Sequence, residues 1–289
     1  MPVTKPALGE FLRSRRARLT PEAAGIVSYG ARRVPGLRRE ELAQLAGVSA
    51  TYYTRLEQGQ STNASRSVIE AIARALQLDD DERTHLLDLA VPAQGGAVGR
   101  PRRPRPDAAG PSTLHLVAAM RDVPAVVLGR RTEVLAWNPL AHRLLAGHYD
   151  GAAPERPADR PNLTRMLFLD PHTRELYRDW ESEAARAIAS LRLVAGRFPD
   201  DRPLEELVGE LSVKSPEFSA LWSKHPVANC VSGTKLLHHP EVGDLDLEFQ
   251  ALQLPDDSGQ RLLTYVAEPG GESAAGLALL GLTAPRVLS

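Results

Sequence analysis

The hydrophobic residues near the start of the chain recur every three or four positions, a spacing that predicts a succession of short amphipathic helices. Residues Leu8 to Ala90 accommodate five such helices, separated by Gly, Pro and small polar residues. Asp79 and Glu82 have the spacing of a capping box at the start of the fifth. The inward faces of the first, fourth and fifth helices are formed by Leu8, Phe11, Leu12 and Leu19, by Val68, Ile69, Ile72, Ala73 and Leu76, and by Leu86, Leu87 and Leu89.

The second and third predicted helices lie within Arg39–Gly59 and are joined by a tight turn. Gly47 stands where the second helix ends and the backbone needs a positive φ. Ser49 is placed to cap the third helix, because its hydroxyl can accept an amide proton from the first turn. Val48 and Tyr53 occupy the two positions of a hydrophobic staple, which sets the angle at which the chain enters that helix.

The third helix is predicted to have one apolar and one polar face. Tyr53 and Leu56 are one turn apart and face the interior. Two helices held at a fixed angle by a glycine turn form a helix-turn-helix unit, whose second helix fits the DNA major groove. An ordinary corner within an all-helical domain is the alternative. The outward side chains are Ala50, Thr51, Thr54 and Arg55.

Charge is unevenly distributed along the chain. The whole sequence has 35 Lys+Arg and 36 Asp+Glu, for a net charge of −1. Residues 1–106 hold 17 basic and 11 acidic side chains, whereas the remainder holds 18 and 25. The first part is therefore positive by 6 and the second negative by 7. Only the first part is expected to meet a polyanion such as DNA.

The pattern ELAQLAGVS…YYTRLEQG at 41–59 resembles the lambda-repressor-like, Cro/C1-type helix-turn-helix family, and the resemblance covers Leu8 to Ala90. It implies an all-α DNA-binding domain in which the first residues of the third helix read base edges. Arg55 would bind guanine O6 and N7 through two hydrogen bonds. Ala50 departs from repressors that have a polar residue there, so weak readout is expected at that step.

Basic and small polar side chains flank the predicted helix-turn-helix. Arg38 and Arg39 lie at the start of the second helix, where free amide groups and the helix dipole attract anions, so they are predicted to clamp phosphates. Ser61, Asn63 and Ser65 lie in the polar segment after the unit and suit phosphate contacts. The predicted DNA contacts are Arg38, Arg39, Ser49, Ala50, Thr51, Thr54, Arg55, Ser61, Asn63 and Ser65.

Residues 92–111 are rich in Pro, Gly and Arg and have no apolar period. This composition predicts an extended linker after a first domain at residues 1–91. Residues 99–102, GRPR, resemble the AT-hook that binds the minor groove, which leaves minor-groove contact as an alternative role for the linker.

The second half of the chain predicts an α+β domain. Two strands are predicted at 125–129 and 133–138, and a helix follows with Asn138 as its cap and Pro139 in its first turn. The period changes from 3.6 to 2 at 245–251, where apolar and polar residues alternate. One antiparallel sheet with helices on one face is expected. The remaining predicted elements are helices at 112–120, 174–195, 204–212 and 216–223, and strands at 234–239 and 261–267.

Three segments of this half resemble the ligand-binding domain of MmyB-like transcriptional regulators, which has a PAS-like fold. They are VPAVVLGRRTEVLAWNPLAHRLL at 123–145, the helix that carries Trp180, and GTKLLHHPEVGDLDLE at 233–248. The resemblance covers 112–268 and leaves 269–289 as a C-terminal tail. It implies a buried pocket for a small apolar, fatty-acid-like effector. Candidate wall residues, which would otherwise simply fill a core, are Trp137, Leu176, Trp180, Ile188, Leu191 and Phe249.

No residue pattern typical of an enzyme or a metal site stands out. His238, His239, Asp244 and Asp246 are close in sequence, but adjacent strand residues point to opposite faces. The single Cys230 cannot form an internal disulfide and is expected to act as a small buried hydrophobe. We therefore expect no enzymatic activity, no metal and no cofactor, with a flavin or haem in the PAS-like half as an alternative.

The sequence as a whole predicts a sequence-specific, DNA-binding transcription regulator. A single small motif reads few base pairs, so a homodimer is expected. No apolar run is long enough to span a membrane, and MPVTKPALGEFLRSRR at 1–16 lacks an apolar signal core, which predicts a cytoplasmic protein. A pure dimerisation or partner-binding module is the alternative for the second half.

Overall fold

The computed structural model describes residues 4–26, 34, 36–60, 64–90, 108–255 and 259–282. They form two compact units. Unit 1 takes the described residues of Met1–Arg100, Ala189–Glu205 and Leu221–Asn229, and unit 2 takes those of Pro101–Ile188, Glu206–Ala220 and Cys230–Ser289. Two later segments of the chain therefore belong to the unit that holds the first ninety residues.

Unit 1 contains the five helices expected from the apolar period. They are α1 (Thr4–Arg18), α2 (Arg39–Leu45), α3 (Ala50–Glu57), α4 (Arg66–Ala75) and α5 (Asp80–Ala90). The predicted cap at Asp79 forms, since its Oδ1 accepts the amide proton of Glu82 at 2.8 Å. Ser65 caps α4 in the same way, with its Oγ accepting the amide proton of Val68 at 3.4 Å. One shared core buries Phe11, Leu12, Leu42, Tyr53, Leu56, Ile69, Ile72 and Leu86.

The core of unit 1 also contains a histidine whose protonation is suppressed. His85 on α5 is 3% exposed, and its ring meets that of Phe11 edge to face at 5.0 Å. Burial, reinforced by the positive charges of Arg192 and Arg15, lowers the pKa of His85 from 6.5 to about 3. The folded chain therefore keeps this side chain neutral at pH values where an unfolded chain would protonate it.

This histidine predicts a pH dependence of stability. Between pH 6.5 and about 3 the unfolded chain binds a proton at His85 that the folded chain excludes, so its contribution is complete above pH 6.5. That contribution declines on acidification by roughly 1.4 kcal/mol per pH unit. We expect His85→Leu to weaken the loss of stability between pH 7 and pH 5, measured as urea midpoints of the full chain. His115→Gln, at an exposed position on another helix, should leave the loss unchanged; equal slopes for all three proteins would contradict the assignment.

Unit 2 is built on a five-stranded antiparallel sheet, and all five predicted strands are confirmed. They are β1 (Ala125–Leu128), β2 (Val134–Trp137), β3 (Ser232–His239), β4 (Gly243–Gln253) and β5 (Arg261–Val266). Their order in the sheet is β2-β1-β5-β4-β3. The predicted alternation in β4 buries Leu245, Leu247 and Phe249 and exposes Asp246 and Glu248.

The remaining helices belong to unit 2 or are divided between the two units. The helices at 180–197 and 216–223 begin in unit 2 and end in unit 1, whereas the helix at 202–214 begins in unit 1 and ends in unit 2. The helices predicted at 112–120, 204–212 and 216–223 are present, as is the one capped by Asn138. The elements are α6 (Pro111–Ala119), α7 (Pro139–Ala146), a short 3-10 helix (Ala153–Glu155), α8 (Leu163–Leu169), α9 (Pro171–Leu176), α10 (Trp180–Arg197), α11 (Arg202–Lys214), α12 (Pro216–Ser223) and α13 (Glu272–Leu282).

Helices cover both faces of the sheet at β1, so the expectation of helices on one face is wrong. Val126 and Leu128 share a core with α7 and α13, whereas Ala125 and Val127 pack with Val117 of α6. Successive strand residues point to opposite faces, so a strand buried on both sides is apolar throughout. All four residues of β1 are buried and apolar, which explains why this strand shows no alternation.

The single helix predicted at 174–195 is also wrong, because α9 and α10 are separated by an extended residue, Tyr177, and a turn at 178–179. Tyr177 forms an isolated bridge with Leu237 of β3, and the amide of Arg178 donates to the carbonyl of Leu236 at 3.0 Å. Asp179 then caps α10 by accepting the amide proton of Ser182 at 3.2 Å. The apolar period continues across the break, but the backbone at Tyr177 and Arg178 hydrogen-bonds to the edge of the sheet instead.

Residues 269–289, left as a tail by the sequence analysis, contain helix α13. Its Leu277 and Leu280 are buried in the same core as Leu140 of α7 and Leu245 of β4. The helix has few polar side chains after its first turn, so its sequence shows no amphipathic pattern. None of the helices in the described ranges is both long and apolar enough to cross a bilayer.

Candidate functional site

The turn between α2 and α3 has the local structure that its sequence predicts. Gly47 adopts a φ of +67°, in the left-handed region that favours glycine. Ser49 Oγ accepts the amide proton of Tyr52 at 3.1 Å and so caps α3. Val48 packs partly buried against the core that holds Tyr53, as the staple requires. These contacts hold α3 in place without using its outer face.

The outer face of α3 is available to a ligand. Tyr53 and Leu56 are each 0% exposed, so the helix is anchored by the two positions predicted to face inward. Ala50, Thr51 and Arg55 are exposed and Thr54 is partly so. Among the described residues, the side chain of Arg55 has no hydrogen-bond or ion-pair partner, so the donors of its guanidinium are free.

A buried carboxylate at the end of α3 was missed by the sequence analysis. Glu57 is 1% exposed. Its carboxylate accepts two hydrogen bonds from Arg16, from Nε at 2.8 Å and from Nη2 at 2.9 Å. Arg39 Nε donates to it at 3.0 Å, and Arg13 Nε lies 3.8 Å away. Glu57 follows Tyr53 by one helical turn and therefore shares its inward side, which is the signal that sequence spacing offered.

The arginines control the charge of Glu57. Burial alone would raise the pKa of this carboxyl, but the hydrogen bonds and charge of Arg16, with a further bond from Arg39, lower it below its usual value. One carboxylate thus faces three guanidinium groups, Arg13, Arg16 and Arg39, and a net positive charge of 2 remains. This excess lies beside the C-terminal end of α3 and makes the cluster attractive to phosphate.

The residues predicted to contact phosphate differ in exposure and in whether their polar groups are already hydrogen-bonded. Arg38 is exposed. Its backbone amide already donates to Glu41 Oε2 at 2.6 Å, so this N–H group is not available to an anion at the start of α2. The side chain of Arg39 is 41% exposed although its guanidinium is paired with Glu57. Ser65 is exposed and caps α4. Ser61 and Asn63 lie outside the described residues.

Five of the six residues predicted to line an effector pocket lie in unit 2. Leu176 and Phe249 belong to one core cluster, and Trp137 packs partly buried against it. The indole N–H of Trp137 donates to the carbonyl of Gly151 at 2.7 Å, and that of Trp180 to Leu167 at 2.8 Å. Ile188 and Leu191 of α10 are each 0% exposed. Leu191 falls in unit 1, apart from the other five candidates.

The histidines of β3 point to opposite faces, as predicted. His238 is exposed and its Nδ1 lies 2.6 Å from Asp244 Oδ1. His239 is 4% exposed, with Nε2 3.1 Å from the carbonyl of Arg143 and Nδ1 accepting the amide proton of Glu241 at 3.2 Å. Both ring nitrogens of His239 are thus occupied by the backbone. Within the described ranges, no three potential ligands among His, Cys, Asp and Glu come together as a metal site.

Two protein families match the chain, in the order of the two halves. Residues 7–86 match a helix-turn-helix domain. Residues 109–280, more than half of the chain, match the MmyB-like transcription regulator ligand binding domain. No curated protein matches the sequence. With the capped turn and exposed outer face of α3, these matches show that the chain belongs to the MmyB-like transcription regulators and is a DNA-binding transcription regulator with a helix-turn-helix domain followed by a ligand-binding domain.

Proposed function

We propose that this regulator reads a specific duplex sequence by inserting α3 into the major groove. The observation that carries the proposal is the outer face of α3, where Thr51 and Arg55 are exposed while Tyr53 and Leu56 anchor the helix. An unpaired guanidinium has the fork geometry that binds guanine O6 and N7 together. The neighbouring Thr methyl groups suit contact with thymine methyl groups.

The arginines around Glu57 supply the phosphate-binding part of this proposal. Arg13 and Arg39 are partly exposed, whereas Arg16 is largely buried, so the first two are the members placed to contact a DNA backbone. Such contacts position the protein on the duplex without specifying sequence. Arg38 adds a further exposed charge at the start of α2.

We further propose that the ligand-binding domain takes a small apolar effector and that the regulator acts as a cytoplasmic homodimer without enzymatic activity or a resident cofactor. The apolar side chains of Leu176, Ile188 and Phe249 support the apolar character of the effector. A homodimer would bring two copies of α3 to half-sites one helical turn apart. The competing role is dimerisation or partner binding alone, and the complete burial of Leu176 and Phe249 in one core favours it.

The experiment that tests this function starts from the full chain. Selection from a random duplex library should enrich a two-fold symmetric motif, and sedimentation should show two copies of the chain on the selected duplex. Denaturation of the purified protein should release an apolar small molecule, while visible absorbance would identify a flavin or haem instead. Enrichment of no motif would contradict sequence-specific reading, and a strict monomer on DNA would contradict the dimer.

Arg38 provides a prediction about the phosphate contacts. We expect Arg38→Ala to weaken binding to all duplexes alike and to reduce the slope of log K against log salt by about one unit, because one released counterion is lost. Binding titrations at several salt concentrations measure this slope. Arg121→Ala removes an exposed arginine from unit 2 and is the matched control. If the slope for Arg38→Ala equalled that of the wild type, Arg38 would not contact phosphate.

A further inference from the structure

Two segments from the second half of the chain form part of unit 1. They are residues 189–205 and 221–229, hereafter the docked segments. Val227 is buried in the core cluster of the five N-terminal helices, and Leu193 packs partly buried against that cluster. Both segments lie within residues 109–280, which match the ligand binding domain. A part of that domain is therefore packed onto the helices of the DNA-binding domain.

Two hydrogen bonds join the docked segments to α1 and α5. Arg15 Nη2 of α1 donates to the backbone carbonyl of His225 at 2.8 Å. The backbone amide of Asn229 donates to Asp81 Oδ2 of α5 at 2.7 Å. Each bond has a backbone group of a docked segment as one partner, so the contact depends on where the segment lies.

The backbone of α10 lies directly on the buried imidazole of His85 in α5. A Cβ atom at Gly196 would lie 2.5 Å from Cε1 and Nδ1 of His85, and 3.6 Å from Leu89 Cδ2. Heavy atoms in favourable contact are about 3.5–4.0 Å apart, so the shorter distance is a clash. Any side chain larger than that of glycine at this position would push α10 away from α5.

This contact buries positive charge that is incompletely paired. Arg15 and Arg192 are 3% and 8% exposed. Arg15 Nη1, Arg192 Nε and His85 Nδ1 are shielded from solvent and have no hydrogen-bond partner within the described residues. Burial, opposed in part by the charge of Glu10, lowers the pKa of Arg192 from 12.5 to about 10. The docked arrangement therefore costs free energy, which favours its opening before the rest of unit 1 unfolds.

Helix α1 connects this contact to the end of α3. Arg15 faces the docked segments, whereas its neighbour Arg16 binds Glu57 of α3. The backbone of α1 also packs directly on α3, because a Cβ atom at Gly9 would lie 2.1 Å from the carbonyl oxygen of Glu57. A displacement of α1 would therefore disturb Glu57, around which the arginines proposed to contact phosphate are held.

We propose that the docked segments act as a latch on α1 and α5, and that opening of this latch lowers the affinity of the regulator for DNA of any sequence. The closed latch holds α1 in the position where it supports Glu57. The outer face of α3 takes no part in the latch, so the preference among bases stays the same. Because α10 begins in unit 2, a change at its start can reach the latch along one helix. This device lies beyond the proposed function, which assigns no route between the two domains.

Gly196→Ala tests the latch in the full-length protein. The added methyl group collides with His85, so amide exchange at 222–229 should accelerate at least about tenfold. Affinities for the selected duplex and for a random-sequence duplex, measured by fluorescence anisotropy, should both fall by about tenfold. Gly209→Ala is the matched control, since a Cβ atom there would have no atom within 4 Å, and should change neither quantity. The random-sequence duplex makes the result independent of the proposed motif.

A second substitution shows whether the clash with His85 is the cause. His85→Ala removes the ring that the new methyl group would meet. In the His85→Ala background, Gly196→Ala should change exchange and affinity by no more than about twofold, because the two sites are in direct contact and their effects are not additive.

Asp81→Ala opens the latch from the surface and leaves the core intact. It removes the acceptor of the Asn229 amide, so affinity for both duplexes should fall by about threefold. Loss of a negative charge would by itself strengthen DNA binding, so a weaker complex reports the latch and not the charge. Asp80→Ala removes an equally charged, exposed neighbour and should not weaken binding.

Each result counts for or against the latch. Faster exchange in Gly196→Ala with unchanged DNA affinity would overturn it, and so would wild-type exchange in that variant. A Gly196→Ala effect of equal size with and without His85 would assign the effect to α10 itself. Equal affinities of Asp81→Ala and Asp80→Ala would refute the latch even if His85→Ala failed to fold. A loss confined to the selected duplex would also refute it, because the latch acts on all sequences alike.

Discussion

Replacement of Glu57 by glutamine is expected to destabilise unit 1 by about 3–5 kcal/mol, the cost of leaving one member of a buried ion pair uncompensated. The substitution keeps the shape of the side chain, but it removes the charge that Arg16 and Arg39 bind. Amide hydrogen exchange in α1 and α3 of the full chain measures the loss. The ion pair also predicts acid sensitivity: the lowered pKa of Glu57 gives a stabilisation that is complete above its usual pKa and is lost as the pH falls through the folded value.

Two further variants test whether the charge, and not the packing, is responsible. Glu57→Leu together with Arg16→Met removes the carboxylate and its most buried arginine partner, while Arg39 and Arg13 are exposed enough to be solvated, so much of the stability should return. Glu70→Gln breaks an ion pair with Arg83 at the surface of the same unit and should cause no comparable loss, since exposed pairs contribute little. If Glu57→Gln exchanges its amides as slowly as the wild type, the ion-pair account is wrong.

Substitution of Arg55 is expected to change which duplexes are bound more than how tightly DNA is bound in general. Arg55→Ala should remove about 1–3 kcal/mol of discrimination at one base step, the typical contribution of a bidentate contact to guanine. Arg55→Lys is the sharper variant, because it retains the positive charge but lacks the planar fork. We expect Arg55→Lys to lose the base preference and to keep the salt dependence of the wild type. Fluorescence anisotropy on the selected duplex and on single-base substitutions measures both quantities.

The exposure of Arg55 makes this comparison interpretable. The side chain has no partner among the described residues, so its removal should leave the stability of unit 1 unchanged. Arg38→Ala serves as the converse variant, with a smaller salt slope and an intact base preference. If Arg55→Ala lowered the affinity for the selected duplex and for random duplexes equally, Arg55 would be a phosphate contact and not a base contact.

Sequence spacing predicted the elements whose signals are local. Gly47 and Ser49 determine where α2 ends and α3 begins, because a positive φ and an N-terminal cap depend on the residue itself. The predictions of alternation in β4 and of the cap at Asn138 were correct for the same reason. The exposed face of α3 followed directly, since a helix with Tyr53 and Leu56 inside must present the remaining positions to solvent.

Spacing failed where a residue's role depends on a distant part of the chain. The helix is interrupted at Tyr177 and Arg178 because the edge of β3 offers backbone partners there, which an apolar period cannot reveal. Helix α13 joins the core of unit 2, although its uniformly apolar sequence gives no sign of a preferred face. In the same way, the sequence could not predict that both faces of β1 are covered, because this depends on the position of α6.

The amino-acid sequence alone determined the helix-turn-helix, the antiparallel sheet and the residues of α3 that face outward, because these depend on contacts within a few positions of the chain. Only the tertiary structure decided that Glu57 is held by Arg16 and Arg39 and that Glu183 is held by Lys235. From sequence alone, a charged side chain is predicted to be solvent-exposed, because its partner in the fold is not known. Burying it is favourable only when a second chain segment brings an opposite charge to hydrogen-bonding distance, and that meeting is a property of the folded protein.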